Sequence, residues 1–159
     1  MAKGQKEAFI KTHIMIDQKL IFLPLIVQVF LTIAVSIWAY HTRVSEMKKK
    51  RVHPQSLATA TETAEKLKAV ANIADNFTNL FEVPVLFYVA TIVLYVNQMV
   101  ALPFLILMSA FVFFRCIHSF IHITYNKVLH RFYLYAASTL LLWAVWVVIA
   151  IRIISDLQF

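Results

Sequence analysis

Four long apolar runs, separated by polar segments, dominate the pattern of the chain. The first run, 20–40, and the fourth, 132–151, contain no charged residue. The second and third, about 77–96 and 100–123, contain a few ionisable residues among apolar ones. A helix needs about 20 apolar residues to cross the hydrocarbon core of a bilayer. The pattern therefore predicts a multi-pass integral membrane protein with four transmembrane helices.

The connections between these runs predict how the helices are arranged. Residues 97–99 and 125–131 form two very short connections, which place consecutive helices antiparallel. The first connection is a polar segment, 41–74, and its later part, 56–74, is rich in Ala, Thr, Glu and Lys, which favours a helix outside the membrane. We therefore predict an all-α, up-down four-helix bundle that forms a single membrane domain over residues 1–159.

Composition excludes several classes of protein. Hydrophobic residues make up 61% of the chain and charged residues 14%, which excludes disorder over most of its length. A single Gly is too few for a glycine-rich phosphate loop, and a single Cys excludes both a disulfide framework and a cysteine-built zinc site. The net charge of +7 lies mainly between the apolar runs, so we interpret it as a topology signal and expect no nucleic-acid partner.

The distribution of Lys and Arg predicts an orientation in the membrane. Seven of these residues lie in the segment 41–74, and Lys127 and Arg131 bring the number on that side to nine. The opposite side has five, namely Lys3, Lys6, Lys11, Lys19 and Arg152. By the positive-inside rule, both termini lie outside the cytoplasm.

Polar residues in or beside the spans are candidates for function, because ionisable groups within a bilayer are costly and usually mark a site. Two sets have spacings of three and four residues, which place each set on one face of a helix. The first set comprises Asn72, Asp75, Asn79 and Glu82, and the second comprises Arg115, His118, His122 and Asn126. We expect the two faces to meet each other or a neighbouring subunit, with an ion pair between Glu82 and Arg115.

These residues also permit purely structural interpretations. Polar side chains often hold transmembrane helices together without binding a ligand. His118 and His122 are four residues apart, as metal ligands can be, but hydrogen bonds within an interhelical network are the favoured interpretation and we predict no metal site. Cys116 lies on a different face from Arg115 and is expected to be an inert thiol.

Two segments resemble a known family. The segment NIADNFTNLFEVPVLFYVATIVLY, 72–95, resembles the second helix of the MAPEG family, the membrane-associated proteins in eicosanoid and glutathione metabolism. The segment FFRCIHSFIHITYNKVLHRFYLYAAS, 113–138, resembles that family's third helix, short loop and fourth helix. The Arg-x-x-His-Ser pattern of the third span is most similar to that of the family's small bacterial members. We therefore expect the protein to lie in a bacterial inner membrane.

The resemblance implies a homotrimer that binds glutathione between neighbouring subunits near the cytoplasmic side, while a lipophilic substrate enters from the bilayer. Asn79 and Glu82 match the family's glutathione-binding Asn and Glu. Arg131 looks like the arginine that stabilises the thiolate in the family's enzymes. His130 is the alternative match if the alignment is shifted by one residue. Together with the polar face of the third span, this gives a predicted glutathione-binding set of Asn79, Glu82, Arg115, His118, His122 and Asn126, with Arg131 as the catalytic residue.

Two functions follow from these features. One is a glutathione transferase or peroxidase that acts on a lipophilic electrophile or hydroperoxide. The other is a non-catalytic protein that binds lipid or serves as an accessory or scaffold subunit of a larger membrane complex. Asp75 favours the second function, because the family's enzymes usually carry an Arg four residues before the Asn. Phe120 and Thr124 stand where third-helix tyrosines are expected. A small transporter is less well supported, because four transmembrane helices with polar residues at one end only are too few to form a pathway across the membrane.

Overall fold

The structure, a computed structural model, describes residues 16–157 except for the side chains at 60, 64 and 69. Lys3, Lys6 and Lys11, on which the predicted orientation partly depends, lie outside the described residues. Every regular element in the described part of the chain is helical, and four stretches are long and apolar enough to cross a membrane. The prediction of an all-α, four-span membrane protein is therefore confirmed.

The described chain contains six α-helices and two short 3₁₀ turns. Its helices are α1 (Phe22–Lys50), α2 (Ala60–Lys66), α3 (Lys68–Asn79), α4 (Val83–Val96), α5 (Leu102–Ile123) and α6 (Val128–Asp156). The 3₁₀ turns cover Gln18–Ile21, before α1, and Pro54–Leu57, before α2. The second span consists of α3 and α4 together, whereas α1, α5 and α6 each form a span. The most extensive helix contact is between α5 and α6.

The helix α1 continues well beyond the apolar run on which its span was predicted. It has 29 residues, which correspond to about 43 Å, whereas the hydrocarbon core is about 30 Å thick. It ends where Arg51 adopts a left-handed conformation (φ 52°), and the N–H of Val52 donates to the Met47 carbonyl at 3.0 Å. This Schellman-type end satisfies the last carbonyls of the helix outside the membrane.

The second span is interrupted, whereas the apolar pattern predicted one continuous helix over 77–96. The break lies between Asn79 and Val83, and Pro84 follows it within the first turn of α4. Proline lacks the N–H that a continuous helix would need and disfavours helical geometry in the preceding residue. The break therefore follows directly from the position of Pro84.

The core of the bundle is apolar and occupies the half in which α4 ends and α5 begins. Phe87 and Phe111 stack with their ring centroids 4.8 Å apart. The other fully or almost fully buried members of this core include Ile21, Leu94, Phe104, Met108, Leu142, Val145 and Ile149. Because these residues fix α5 against α4 and α6, they also fix the direction of the polar residues farther along α5.

A second, smaller apolar cluster lies at the other end of the bundle. It contains Leu57, Leu67 and Val70, with Met47 and Val52 packed against it. We call the segment that surrounds it, residues 43–70, the cap. Within the cap, Thr59 and Glu62 form a capping box at the start of α2, and the hydrogen bond from the Thr59 backbone lowers the pKa of the Glu62 carboxyl.

Candidate functional site

Three polar residues on α5 form the centre of the candidate site. Arg115, His118 and His122 are 0%, 3% and 2% exposed. Their spacings of three and four residues place them on one face of α5, as the sequence predicted. This face is directed into the bundle. The site is therefore built into the interior of the chain at the end of α5 that lies nearer the cap.

Arg115 is a buried cation without an acidic partner. Its guanidinium carbon lies 5.3 Å from the centre of the Phe111 ring and 4.6 Å from that of Tyr135. These cation–π contacts offset part of the cost of burying the charge. However, none of its three guanidinium nitrogens has a hydrogen-bond partner, and the ion pairs among residues 16–157 involve only Glu46 with Lys49 and with Lys50. Among residues 16–157, no carboxylate therefore lies within ion-pair distance of Arg115.

The predicted ion pair between Glu82 and Arg115 is wrong for the single chain. Glu82 is exposed at the break between α3 and α4, where its backbone is not helical (φ −90°, ψ −94°). The prediction that Glu82 continues the helical face of Asn72, Asp75 and Asn79 is wrong for the same reason. The spacing argument required a continuous helix, and Pro84 interrupts it before Glu82 is reached.

Asn76, which the sequence analysis did not select, provides a polar contact between α3 and α5. Its side chain is 0% exposed, and its Oδ1 accepts a hydrogen bond from the Ser119 hydroxyl at 3.2 Å. The Nδ2 atom of Asn76 has no partner. A signal existed in the sequence, because Asn76 is four residues from Asn72 and three from Asn79. It therefore fits the spacing of the first polar set as well as Asp75 does. The side chain of Asp75, in contrast, is exposed.

The two histidines differ in how they are held. The Nδ1 atom of His118 lies 3.0 Å from the backbone carbonyl of Arg131. A carbonyl can only accept, so Nδ1 carries the proton and Nε2 is a free acceptor without a partner. Both ring nitrogens of His122 also lack partners. Within residues 16–157, no group of three or more His, Cys, Asp or Glu residues is placed to hold a metal ion.

Arg131 and Asn126 form the outer edge of the site. Arg131 is half-buried at the start of α6 and donates from Nη1 to the Oδ1 of Asn126, while its buried Nε has no partner. The prediction that Asn126 continues the face of His122 is wrong, because α5 ends at Ile123 and Asn126 lies in a turn with φ 51°. Asn126 nevertheless reaches the site through Arg131.

Tyr135 is a further residue that the sequence analysis missed. Its ring covers the guanidinium of Arg115 and lies 6.0 Å, centre to centre, from the ring of His118. It is four residues after Arg131 on α6, so the helical period placed both on one face. His130, the alternative to Arg131, is exposed and its Nδ1 lies 3.0 Å from the Tyr125 hydroxyl.

The remaining predicted ligand residues lie at the surface of the single chain. Asn79 is half-buried at the end of α3, and Glu82 is exposed just beyond it. Arg115, His118 and His122 are buried instead. The structure therefore brings together the α5 residues, Arg131 and Asn126, and leaves Glu82 unpaired with them.

Comparison with known proteins identifies the family to which the chain belongs. The model of the MAPEG family matches residues 21–151. The chain belongs to the MAPEG family. No curated protein and no solved structure is significantly similar to it. All seven predicted site residues of this MAPEG protein lie inside the matched range, as do Asn76 and Tyr135.

Membership of the family makes this an integral, multi-pass membrane protein of the glutathione and eicosanoid metabolism family. This MAPEG protein also has an apolar groove on its surface. It has a volume of about 410 Å³ and runs between α1 and α5 toward Cys116, the residue next to Arg115. It is lined by Leu23, Pro24, Val27, Leu105, Ser109, Val112, Phe113 and Cys116. The groove therefore includes Cys116 in its lining, but not Arg115 or the two buried histidines.

Proposed function

We propose that this MAPEG protein binds glutathione at the subunit interfaces of a homotrimer and transfers it to a lipophilic electrophile, or uses it to reduce a hydroperoxide. The observation that carries the proposal is the burial of Arg115 without a carboxylate partner. An unpaired charge in the protein interior costs several kcal/mol, about 3–5 where one partner of a buried pair is removed. Glutathione carries two carboxylates and therefore supplies the charge that the chain lacks.

The positions of Glu82 and Asn79 support a site that two chains share. Glu82 is exposed on the surface of the second span, so its carboxylate is available to a ligand held by a neighbouring chain. In the proposed complex Glu82 binds the amine of glutathione and Asn79 binds one of its backbone groups. Arg115 of the other chain binds a carboxylate, and His118 and His122 donate or accept hydrogen bonds beside it. Because these three residues are buried in the single chain, the proposal requires the helices around them to open enough for the ligand to reach them.

Arg131 is proposed to stabilise the thiolate. A free thiol has a pKa of about 8.5, and an adjacent cation lowers it. The bond from Nη1 to Asn126 holds the guanidinium in one orientation, which leaves the buried Nε free to donate to the sulfur. The thiolate then attacks the electrophile and forms a carbon–sulfur bond as the leaving group departs. The groove beside Cys116 offers a lipophilic substrate a path from the bilayer.

The test of this function is the ultraviolet absorbance of the thiolate when the purified protein is mixed with glutathione. We expect a thiolate signal in the wild type and its loss in Arg131→Ala. Arg43→Ala is the matched control, because Arg43 is exposed in the cap and makes only a long bond, 3.4 Å, to the Leu57 carbonyl. The absence of any signal at millimolar glutathione in the wild type would contradict the proposal.

The second candidate function is a non-catalytic lipid-binding or accessory subunit. Asp75 favours it, because this carboxylate is exposed on α3 one turn before Asn79 and repels an anionic ligand there. Under this function the protein is isolated with a stoichiometric partner or a tightly held lipid. Isolation as a trimer that turns over a standard electrophile would rule it out.

A further inference from the structure

We propose that the cap carries a binding surface for the phosphate headgroups of anionic lipids. The surface consists of seven cations, all of them exposed. They are Arg43, Lys48, Lys49, Lys50, Arg51, Lys66 and Lys68. Residues 43–68 contain three acidic residues, Glu46, Glu62 and Glu65, so seven positive and three negative charges leave a net charge of +4. The inference concerns a surface separate from the glutathione site and does not depend on it.

The cations belong to an ordered platform rather than to a loose tail. Lys48, Lys49 and Lys50 occupy the last turn of α1, where cations complement the helix dipole. The Lys50 ammonium donates to the Lys66 carbonyl at 2.9 Å, and the Lys66 ammonium donates to the Ser56 carbonyl at 2.8 Å. These bonds join the end of α1 to the end of α2 and bring the two groups of cations together. The apolar cluster of the cap packs beneath them.

The acidic residues of the cap neutralise only part of this charge. Glu46 lies 4.0 Å from Lys49 and 3.9 Å from Lys50. Glu62 is engaged in the capping box with Thr59. Neither Lys48 nor Arg51 forms an ion pair among residues 16–157. Both side chains are exposed, so they are available to an external anion.

The length of α1 places this charge just beyond the lipid headgroups, from where long side chains can reach back to the phosphates. Trp38 and Tyr40, which are 54% and 67% exposed, mark the interfacial end of the apolar run. Lys48 follows Tyr40 by eight residues, or about 12 Å along the helix. The headgroup layer on each side of a bilayer is about 5–8 Å thick. Long Lys and Arg side chains reach back toward it, and the Debye length at physiological salt is about 8 Å.

Anionic lipid is the favoured occupant because the surrounding membrane presents its phosphates permanently at this height. Each Lys or Arg near such a surface strengthens binding by about fivefold. A soluble phosphate or glutathione carries the same kind of charge, but it is not held beside the cap. The experiment must therefore separate lipid-borne phosphate from free phosphate.

The experiment counts the lipids bound to the detergent-purified full chain by native mass spectrometry. Phosphatidylglycerol and phosphatidylcholine are offered in equal amounts. The test variant is Lys48→Gln with Arg51→Gln, and the control is Lys19→Gln with Lys127→Gln, which removes the same charge from exposed positions outside the cap. We expect the wild type and the control to retain phosphatidylglycerol preferentially, and the cap variant to bind it about tenfold or more weakly. Equal melting temperatures without lipid verify that the variants fold alike.

Three results would overturn the inference. The first is equal retention of the two lipids by the wild type. The second is a cap variant that binds phosphatidylglycerol as well as the control does. The third is displacement of phosphatidylglycerol by glycerol phosphate at equal concentration, which would assign the surface to free phosphate instead. If high salt weakens the preference of the wild type for phosphatidylglycerol over phosphatidylcholine, the result supports an electrostatic surface.

Discussion

The two halves of α5 are buried to the same extent but in opposite chemical environments. In the half that begins at Leu102, Phe104, Met108 and Phe111 pack against apolar side chains of the other helices. In the half that ends at Ile123, Arg115 and His122 are almost fully buried as well. Their polar atoms, however, find no hydrogen-bond partner in the described chain.

The difference shows which part of the molecule is complete by itself. Apolar residues need only a well-packed surface, which one chain supplies. Buried polar groups need hydrogen-bond partners, and buried charges need a counter-charge. The unpartnered atoms of the polar site are one of Asn76, three of Arg115, one of His118, two of His122 and one of Arg131. The polar half therefore leaves hydrogen-bonding groups open to water, to a neighbouring subunit or to a ligand.

The largest effect is expected from a cavity in the apolar half. Phe87→Ala removes a ring that stacks on Phe111, and such truncations cost about 3–5 kcal/mol. The free energy of unfolding in detergent, measured by denaturant titration, checks this value. Phe113→Ala is the control, because Phe113 is 61% exposed and its loss is expected to cost far less. Equal losses in both variants would show that the core is not where the structure places it.

A change in the polar half is expected to act in the opposite direction. Arg115→Met replaces a buried, unpaired cation with an apolar side chain of similar length, which is expected to leave the ligand-free protein about 1–4 kcal/mol more stable. The same denaturant titration, without glutathione, measures the change. Arg51→Met, at an exposed position, is the control. A loss of several kcal/mol in Arg115→Met would mean that the cation already has a partner.

Two carboxylates near the break distinguish the two candidate functions. Glu82→Gln is expected to weaken glutathione binding about tenfold, since it removes the partner of the ligand's amine. Asp75→Asn is expected to strengthen binding two- to threefold, roughly, because it removes a repulsive charge. Isothermal titration of the two variants against the wild type measures both changes. Identical affinities in all three proteins would show that Glu82 does not contribute to glutathione binding.

The smallest effect is expected where a single hydrogen bond joins the second span to α5. Ser119→Ala removes the donor to Asn76 and is expected to cost about 1 kcal/mol of unfolding free energy. Ser109→Ala, at an exposed position on the same helix, is the control and is expected to change little. A neutral result at Ser119 would mean that Asn76 is satisfied by another group.

The helices were predictable because long apolar runs have few alternatives in a membrane, and the buried face of α5 followed from helical spacing. The details at the helix ends were not predictable from spacing alone. Asn126 lies beyond the end of α5, and Glu82 lies in a break that Pro84 imposes. The choice between Asp75 and Asn76 depended on how α3 is rotated against α5, which is decided by packing between distant parts of the chain.

The most direct test of the account is the melting temperature of the purified protein as glutathione is added. A ligand that binds only the folded state stabilises it by about 2.7 kcal/mol when its concentration is 100 times the dissociation constant. We predict a saturable rise in melting temperature for the wild type and none for Arg115→Met. An unchanged melting temperature at millimolar glutathione in the wild type, or an equal rise in Arg115→Met, would contradict the claim that glutathione completes the buried polar site.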